Sequence, residues 1–155
     1  MSTSNPAAAT LYLDDVVVGY RFSSGEHALD EQQIKAFAAQ FDPQPFHLDD
    51  DAARKTLFGG LAASGWHTAA ITMRLLVTGG MPLAEGVIGA GAEVSWPQPT
   101  RAGDILHVES EVLAITPSRS RPDRGMLTVR SETRNQRGEV LQILTSKLVV
   151  SRRPA

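Results

Sequence analysis

Apolar residues recur along this chain with two different periods. Ile34, Phe37, Ala38 and Phe41 return at helical spacing, which predicts a helix over residues 31–40, with Asp30 as N-cap and Gln33 three positions later. Pro43 and Pro45 end it. A second stripe of Trp66, Ala69, Ala70, Met73, Leu76 and Val77 predicts a helix from Ser64 to about Thr78, broad enough on its apolar side to be central and mostly buried. On that pattern Trp66 reads as core in preference to a pocket wall. Gly79, Gly80 and Pro82 terminate this helix. The period then falls to two. Ile88, Ala90, Ala92, Val94 and Trp96 alternate with Gly89, Gly91, Glu93 and Ser95, predicting a half-buried strand over 87–96. Residues 104–116 alternate less regularly, and the runs 125–135 and 139–150 are joined through Asn135–Gly138 as a hairpin. Residues 11–29, broken by Gly19 and Gly25, predict an edge strand or an irregular lead-in. Helices followed by a run of strands argue for an α+β domain whose antiparallel sheet packs on one long helix, and against alternating βαβ units.

With 155 residues, 42% of them apolar, the chain is the size of one domain that can bury a core without cross-links. It has no Cys, hence no disulfide and no thiolate metal site. The net charge of −2 divides unevenly: residues 1–60 carry 4 basic and 9 acidic groups, residues 61–155 carry 11 and 8. Neither part has the basic surface of a nucleic-acid binder. Residues 1–10 have the composition of a loose tail, leaving 11–155 as the folded domain. No basic region followed by an apolar run suggests export, and no apolar stretch is long enough to span a bilayer, so the expectation is a soluble, cytoplasmic protein without a membrane partner.

Of the four histidines, His27, His67 and His107 lie in regular elements and suit structural or solvent-facing roles. His47 differs, because it follows Asp42 by five residues in a segment that two prolines make a stiff loop instead of a regular helix or central strand. A carboxylate and an imidazole held together can grip one water and move its protons, which is general acid–base chemistry. The alternative is a helix-ending Asp and a loop His that satisfy backbone groups. A metal at His47 with Asp49, Asp50 or Asp51 is the weaker idea, since those aspartates suit the N-terminus of a short helix. Gly59, Gly60 and Gly65 flank the start of the long helix, where free amides can hold a polarised carbonyl oxygen or where glycine simply permits close packing. Arginines 119, 121, 124, 130, 134 and 137 form either a solvated face or contacts to substrate phosphates.

The segment Phe37 to His67, FAAQFDPQPFHLDDDAARKTLFGGLAASGWH, resembles the hydratase motif of the MaoC-like dehydratases and (R)-specific enoyl-CoA hydratases. Asp42, Pro45, His47 and Asp49 match the family's Asp-x-Asn-Pro-x-His-x-Asp loop, and VSWPQPTRAGDIL, Val94 to Leu106, is similar to its strand, bend and Gly-Asp. The resemblance covers about residues 15–150. Two positions depart from the family pattern: Gln44 replaces its Asn, and Ser64 replaces the His at the start of the long helix.

What the resemblance implies is a single hotdog domain, a curved antiparallel sheet wrapped around the long helix, assembling as a homodimer or a dimer of dimers. The implied activity is hydration or dehydration of a trans-2-enoyl-CoA or related acyl thioester, with no cofactor beyond the thioester substrate. By the same resemblance Asp42 and His47 are the catalytic pair and the Gly65 amide polarises the thioester carbonyl, while Gln44, Phe46, Phe58, Gly60, Ser64 and Trp66 are expected around the substrate. A thioesterase and a non-catalytic acyl-thioester binder are the alternatives within the same fold.

Overall fold

The computed structural model describes residues 10–155, so the expected tail lies outside it apart from Thr10. The described chain forms five strands and four helices: β1 (Arg21–Ala28), α1 (Glu31–Phe41), α2 (Pro45–Leu48), α3 (Asp50–Arg54), α4 (Gly65–Leu75), β2 (Gly89–Ser95), β3 (Ile105–Pro117), β4 (Arg124–Arg134) and β5 (Val140–Ser151). The strands make one antiparallel sheet in the order β1-β3-β4-β5-β2, with α4 packed on β1, β3 and β5. This is the α+β arrangement expected from the periodicities, a five-stranded antiparallel sheet with a central helix.

Alternation explains which side of the sheet meets α4. In β4, Leu127, Val129, Ser131 and Thr133 are buried, while Thr128, Arg130, Glu132 and Arg134 between them are partly or fully exposed. Leu106, Val108 and Val112 of β3 join Leu127, Val129, Leu141 of β5 and Ile34 of α1 in the same core. The irregular alternation of β3 has a local cause, because its register against β4 shifts between Val112 and Ala114, as at a bulge.

Four expectations are corrected. Residues 45–48 are a single helical turn and not a loop: Pro45 occupies its first position, where the missing N–H has no intrahelical acceptor to lose. The long helix is shorter than its apolar stripe, since α4 ends at Leu75 and a wide turn, Leu76–Gly80, carries the chain to Gly79 at φ +139. β2 is exposed rather than half-buried, because it forms the sheet's margin, and Ile88 and Trp96 at its two ends keep 48% and 39% of their surface. Trp66 likewise is 61% exposed and is not core.

His67 is the histidine that the fold perturbs most. It is 8% exposed, lies flat on Phe37 with ring centroids 4.5 Å apart, and its Nδ1 is buried without a partner among the described residues. Burial, helped by the nearby His27, pushes its pKa down from 6.5 to about 4. The unfolded chain therefore takes up this proton between pH 6.5 and 4 while the folded chain does not, so the stabilisation is full above 6.5 and lost as pH falls toward 4. At 1.36 kcal/mol per pKa unit, urea titrations across that window should show roughly 3 kcal/mol less acid destabilisation in His67→Phe than in the wild type. Ile34 is fully buried where α1 meets the core; Ile34→Ala should lower the urea midpoint by an amount equivalent to about 2–5 kcal/mol, with the slope unchanged.

Candidate functional site

Asp42 is the C-cap of α1 and His47 lies in α2, so the Pro43–Pro45 bend folds the two side chains toward each other. His47 Nε2 stands 3.3 Å from Asp42 Oδ2. The other ring nitrogen, Nδ1, is 2.6 Å from the Ala62 carbonyl oxygen. A carbonyl only accepts, so in the neutral ring Nδ1 carries the hydrogen and Nε2 turns a lone pair toward Asp42. The Ala62 N–H in turn donates to the Phe46 carbonyl, and the segment after α3 is thus fastened to α2 in both directions. The two sequence readings of His47 are therefore compatible: one nitrogen satisfies a backbone group and the other faces the carboxylate. His47 is 4% exposed, whereas the Asp42 side chain retains 18% of its surface.

Burial raises the Asp42 pKa, but hydrogen bonds from Ser64 and Gln44 and the positive charge available to His47 outweigh it, leaving the carboxyl below its ordinary value. Both departures from the family motif thus act on Asp42. Gln44 Nε2 donates to Asp42 Oδ1 at 2.5 Å, so the longer amide still reaches the carboxylate. Ser64 is the N-cap of α4, its hydroxyl accepting from the Trp66 N–H while it also serves Asp42.

The other expected residues fall into two groups. Phe46 meets His47 edge-on at 4.6 Å between ring centroids and Phe58 at 5.0 Å, forming an aromatic wall beside the imidazole. Gly60 gives its carbonyl to Arg101. Gly65 opens α4, and a Cβ there would lie 2.7–2.9 Å from ring atoms of Trp96, so close packing alone requires glycine. Its N–H, at the first helical position, has no acceptor among the described residues. Trp66 meets Trp96 edge-on at 5.4 Å on the exposed side of this helix start. Of the aspartates considered as metal ligands, Asp49 caps α3 by accepting from the Asp51 N–H, Asp50 accepts from the Leu61 N–H and Arg54, and Asp51 lies 3.8 Å from Arg54. Arg130 and Arg134 pair with Glu132, and Arg137 with Asp104 and Glu139, on the sheet and its hairpin rather than at the pair.

A cleft of about 320 Å³ lies against Gly65, bounded by Phe58, Thr68, Trp96 and the Pro97–Thr100 bend. Three of its features have no counterpart in the sequence reading. Arg101 donates to the carbonyls of Phe58, Gly60 and Leu61 and so holds one wall. Thr68 and Thr100 join hydroxyls at 2.9 Å on its floor. Trp96 closes it, its indole N–H donating to Gln142 at 2.9 Å. Trp96 was visible only as an apolar strand position, and the prolines that follow it were the one hint of a bend there.

The sequence matches the MaoC like domain family over residues 14–135. A crystal structure of the MaoC-like dehydratase from Rhodospirillum rubrum superposes with a TM-score of 0.93 at 68% identity, covering 94% of this chain and 99% of that one. Among curated proteins, the uncharacterized protein YdeM of Bacillus subtilis (strain 168) is 34% identical over 128 residues, 81% of this chain and 88% of its own. The 3-hydroxybutyryl-CoA dehydratase of Methylorubrum extorquens is 28% identical over 116 residues, 75% and 73% of the respective chains. With its α4-centred sheet and a profile match that spans the Asp42–His47 segment and the central helix, this chain belongs to the MaoC-like domain family of hotdog proteins.

Proposed function

We propose that this protein hydrates trans-2-enoyl thioesters, or dehydrates the corresponding 3-hydroxyacyl thioesters, with Asp42 and His47 as the proton-moving pair. The observation that carries this reading is the 3.3 Å approach of His47 Nε2 to Asp42, with Nδ1 tied to the Ala62 carbonyl so that Nε2 is the ring nitrogen left facing the carboxylate. The 3-hydroxybutyryl-CoA dehydratase among its relatives supports the same class of substrate.

In this mechanism water donates one hydrogen bond to the pair and presents a lone pair to the β-carbon. As its oxygen bonds to that carbon, its proton passes to the pair and the π electrons move toward the thioester carbonyl. The enolate oxygen is received by the Gly65 N–H at the positive end of α4, a kind of contact worth about 10²–10³-fold in rate. The α-carbon then takes a proton from the pair, which returns to its starting state. Water and alkene alone balance the reaction, so it calls for no redox cofactor. Ser64 and Gln44 assist by keeping Asp42 ionised.

We further infer that the working form is a homodimer. Trp66 and Met73 of α4 and Val77 of the turn after it form an exposed apolar stripe, and β2 presents an unpaired edge flanked by the exposed Ile88 and Trp96. Such an edge and stripe are covered together when a second copy pairs along β2. Light scattering should give about twice the 16.7 kDa chain mass, and Met73→Asp should shift the protein toward monomer.

The activity is tested by loss of the conjugated enoyl absorbance from a panel of trans-2-enoyl-CoAs, with a thiol reagent present. Wild type should consume the band without releasing thiol, while Asp42→Asn and His47→Ala, still folded by circular dichroism, should each fall by about 10²–10⁴-fold in kcat. Thiol release would identify a thioesterase, and saturable binding without turnover would identify a binder.

A further inference from the structure

The buried side of α4 contains a polar seam that neither the fold nor the proposed proton chemistry accounts for. Gln142 of β5 is fully buried, as are Thr72 and Thr133. Every polar atom of the glutamine side chain is engaged: Oε1 accepts from the Trp96 indole N–H, and Nε2 donates to Thr72 Oγ1 at 3.0 Å. Thr72 Oγ1 donates to the Thr68 carbonyl and meets Thr133 Oγ1 at 2.5 Å. A buried amide is costly unless its partners are all in place, so this chain of bonds permits essentially one position for the indole at its end.

That position matters for the cleft beside Gly65. The indole lies over the Gly65 Cα so closely that no side chain fits between them, and the same ring lines the cleft. The remaining walls, Leu57, Phe58, Ala63, Pro97 and Pro99, are mainly apolar and suit an alkyl group better than the amides of a pantetheine arm. At about 320 Å³ the space is at the small end of ligand pockets.

We propose that Trp96 is the specificity-determining residue that confines the acyl group to short chains, and that Gln142, which does not line the cleft, is the positioning residue that locks it. The proposal rests on the thioester reading above. With the indole fixed, a long chain meets a wall it cannot displace; with the lock removed, the ring can turn aside.

The test is a chain-length series from butenoyl-CoA to decenoyl-CoA, measured as kcat/KM. Trp96→Ala should raise the decenoyl-to-butenoyl ratio by at least about tenfold, the scale on which hydrophobic pockets discriminate by size. Gln142→Leu should raise the ratio in the native background and leave it unchanged in Trp96→Phe, whose ring has no N–H to hold. Equal losses for every substrate in Trp96→Ala, or the same effect of Gln142→Leu in both backgrounds, would overturn the proposal and leave the seam a packing feature. Should Gln142→Leu fail to fold, the Trp96 variants alone decide the wall, and Gln142→Met replaces it for the lock. Calorimetric titration with saturated butyryl-CoA and decanoyl-CoA reads the same preference without turnover. An inactive wild type therefore sinks the hydratase reading, while the Trp96→Ala shift in the affinity ratio still decides this one.

Discussion

The organisation of the site depends on the double connection between α2 and Ala62. His47 Nδ1 bonds the Ala62 carbonyl and the Ala62 N–H bonds the Phe46 carbonyl, so one residue accepts from the imidazole and donates to the turn that carries it. The next residue, Ala63, donates to the Thr100 carbonyl, and Ser64 then caps α4. In three successive residues the chain links the histidine, the bend after β2 and the start of the central helix. The imidazole tautomer, the direction of the Asp42 carboxylate and the placement of the Gly65 amide follow from that one short extended stretch. Arg101, reaching three carbonyls from the other side, prevents the stretch from swinging outward.

The sheet supplies a rigid backing for this arrangement and leaves its own margin unfinished. β1 and β2 are the two outer strands, and their situations differ. Phe22 of β1 is buried and Ser24 of the same strand approaches Gly80 closely, so this margin is anchored within the chain. β2 pairs only with β5 among the described residues, and its other edge is open. The same exposed aromatic pair, Trp66 and Trp96, thus belongs both to the uncovered surface and to the rim of the cleft.

Much of this was legible in the sequence because periodicity records burial. The strands β2 to β5 and both longer helices appear within a few residues of their expected limits, and Asp30 does cap α1 through the Gln33 N–H. The motif carried the Asp42–His47 pair, whose five-residue separation is local enough for a short bend to close. The turn α2 was illegible because four residues hold no periodic signal and Pro45 looks like a breaker although it is harmless at a first helical position. The exposure of β2 was illegible for a different reason: alternation states which face is apolar, while strand order decides whether anything covers it. The Trp96–Gln142 contact joins residues 46 positions apart, and no local pattern marks either as a partner of the other.

The strand order also dictates when the site can be completed during synthesis. Asp42, His47, Ser64 and Gly65 all emerge before β2, yet β2 pairs only with β5, the last strand of the chain, and β5 also supplies the final neighbour of β4. Until residues 140–151 are available, the part of the sheet that β5 lays against α4 is missing. A growing chain therefore carries its chemistry-bearing residues exposed for most of its translation, and sequence-distant pairings of this kind form slowly. Damage to the strand pairing of β5 would be felt first as poor yield and chaperone dependence.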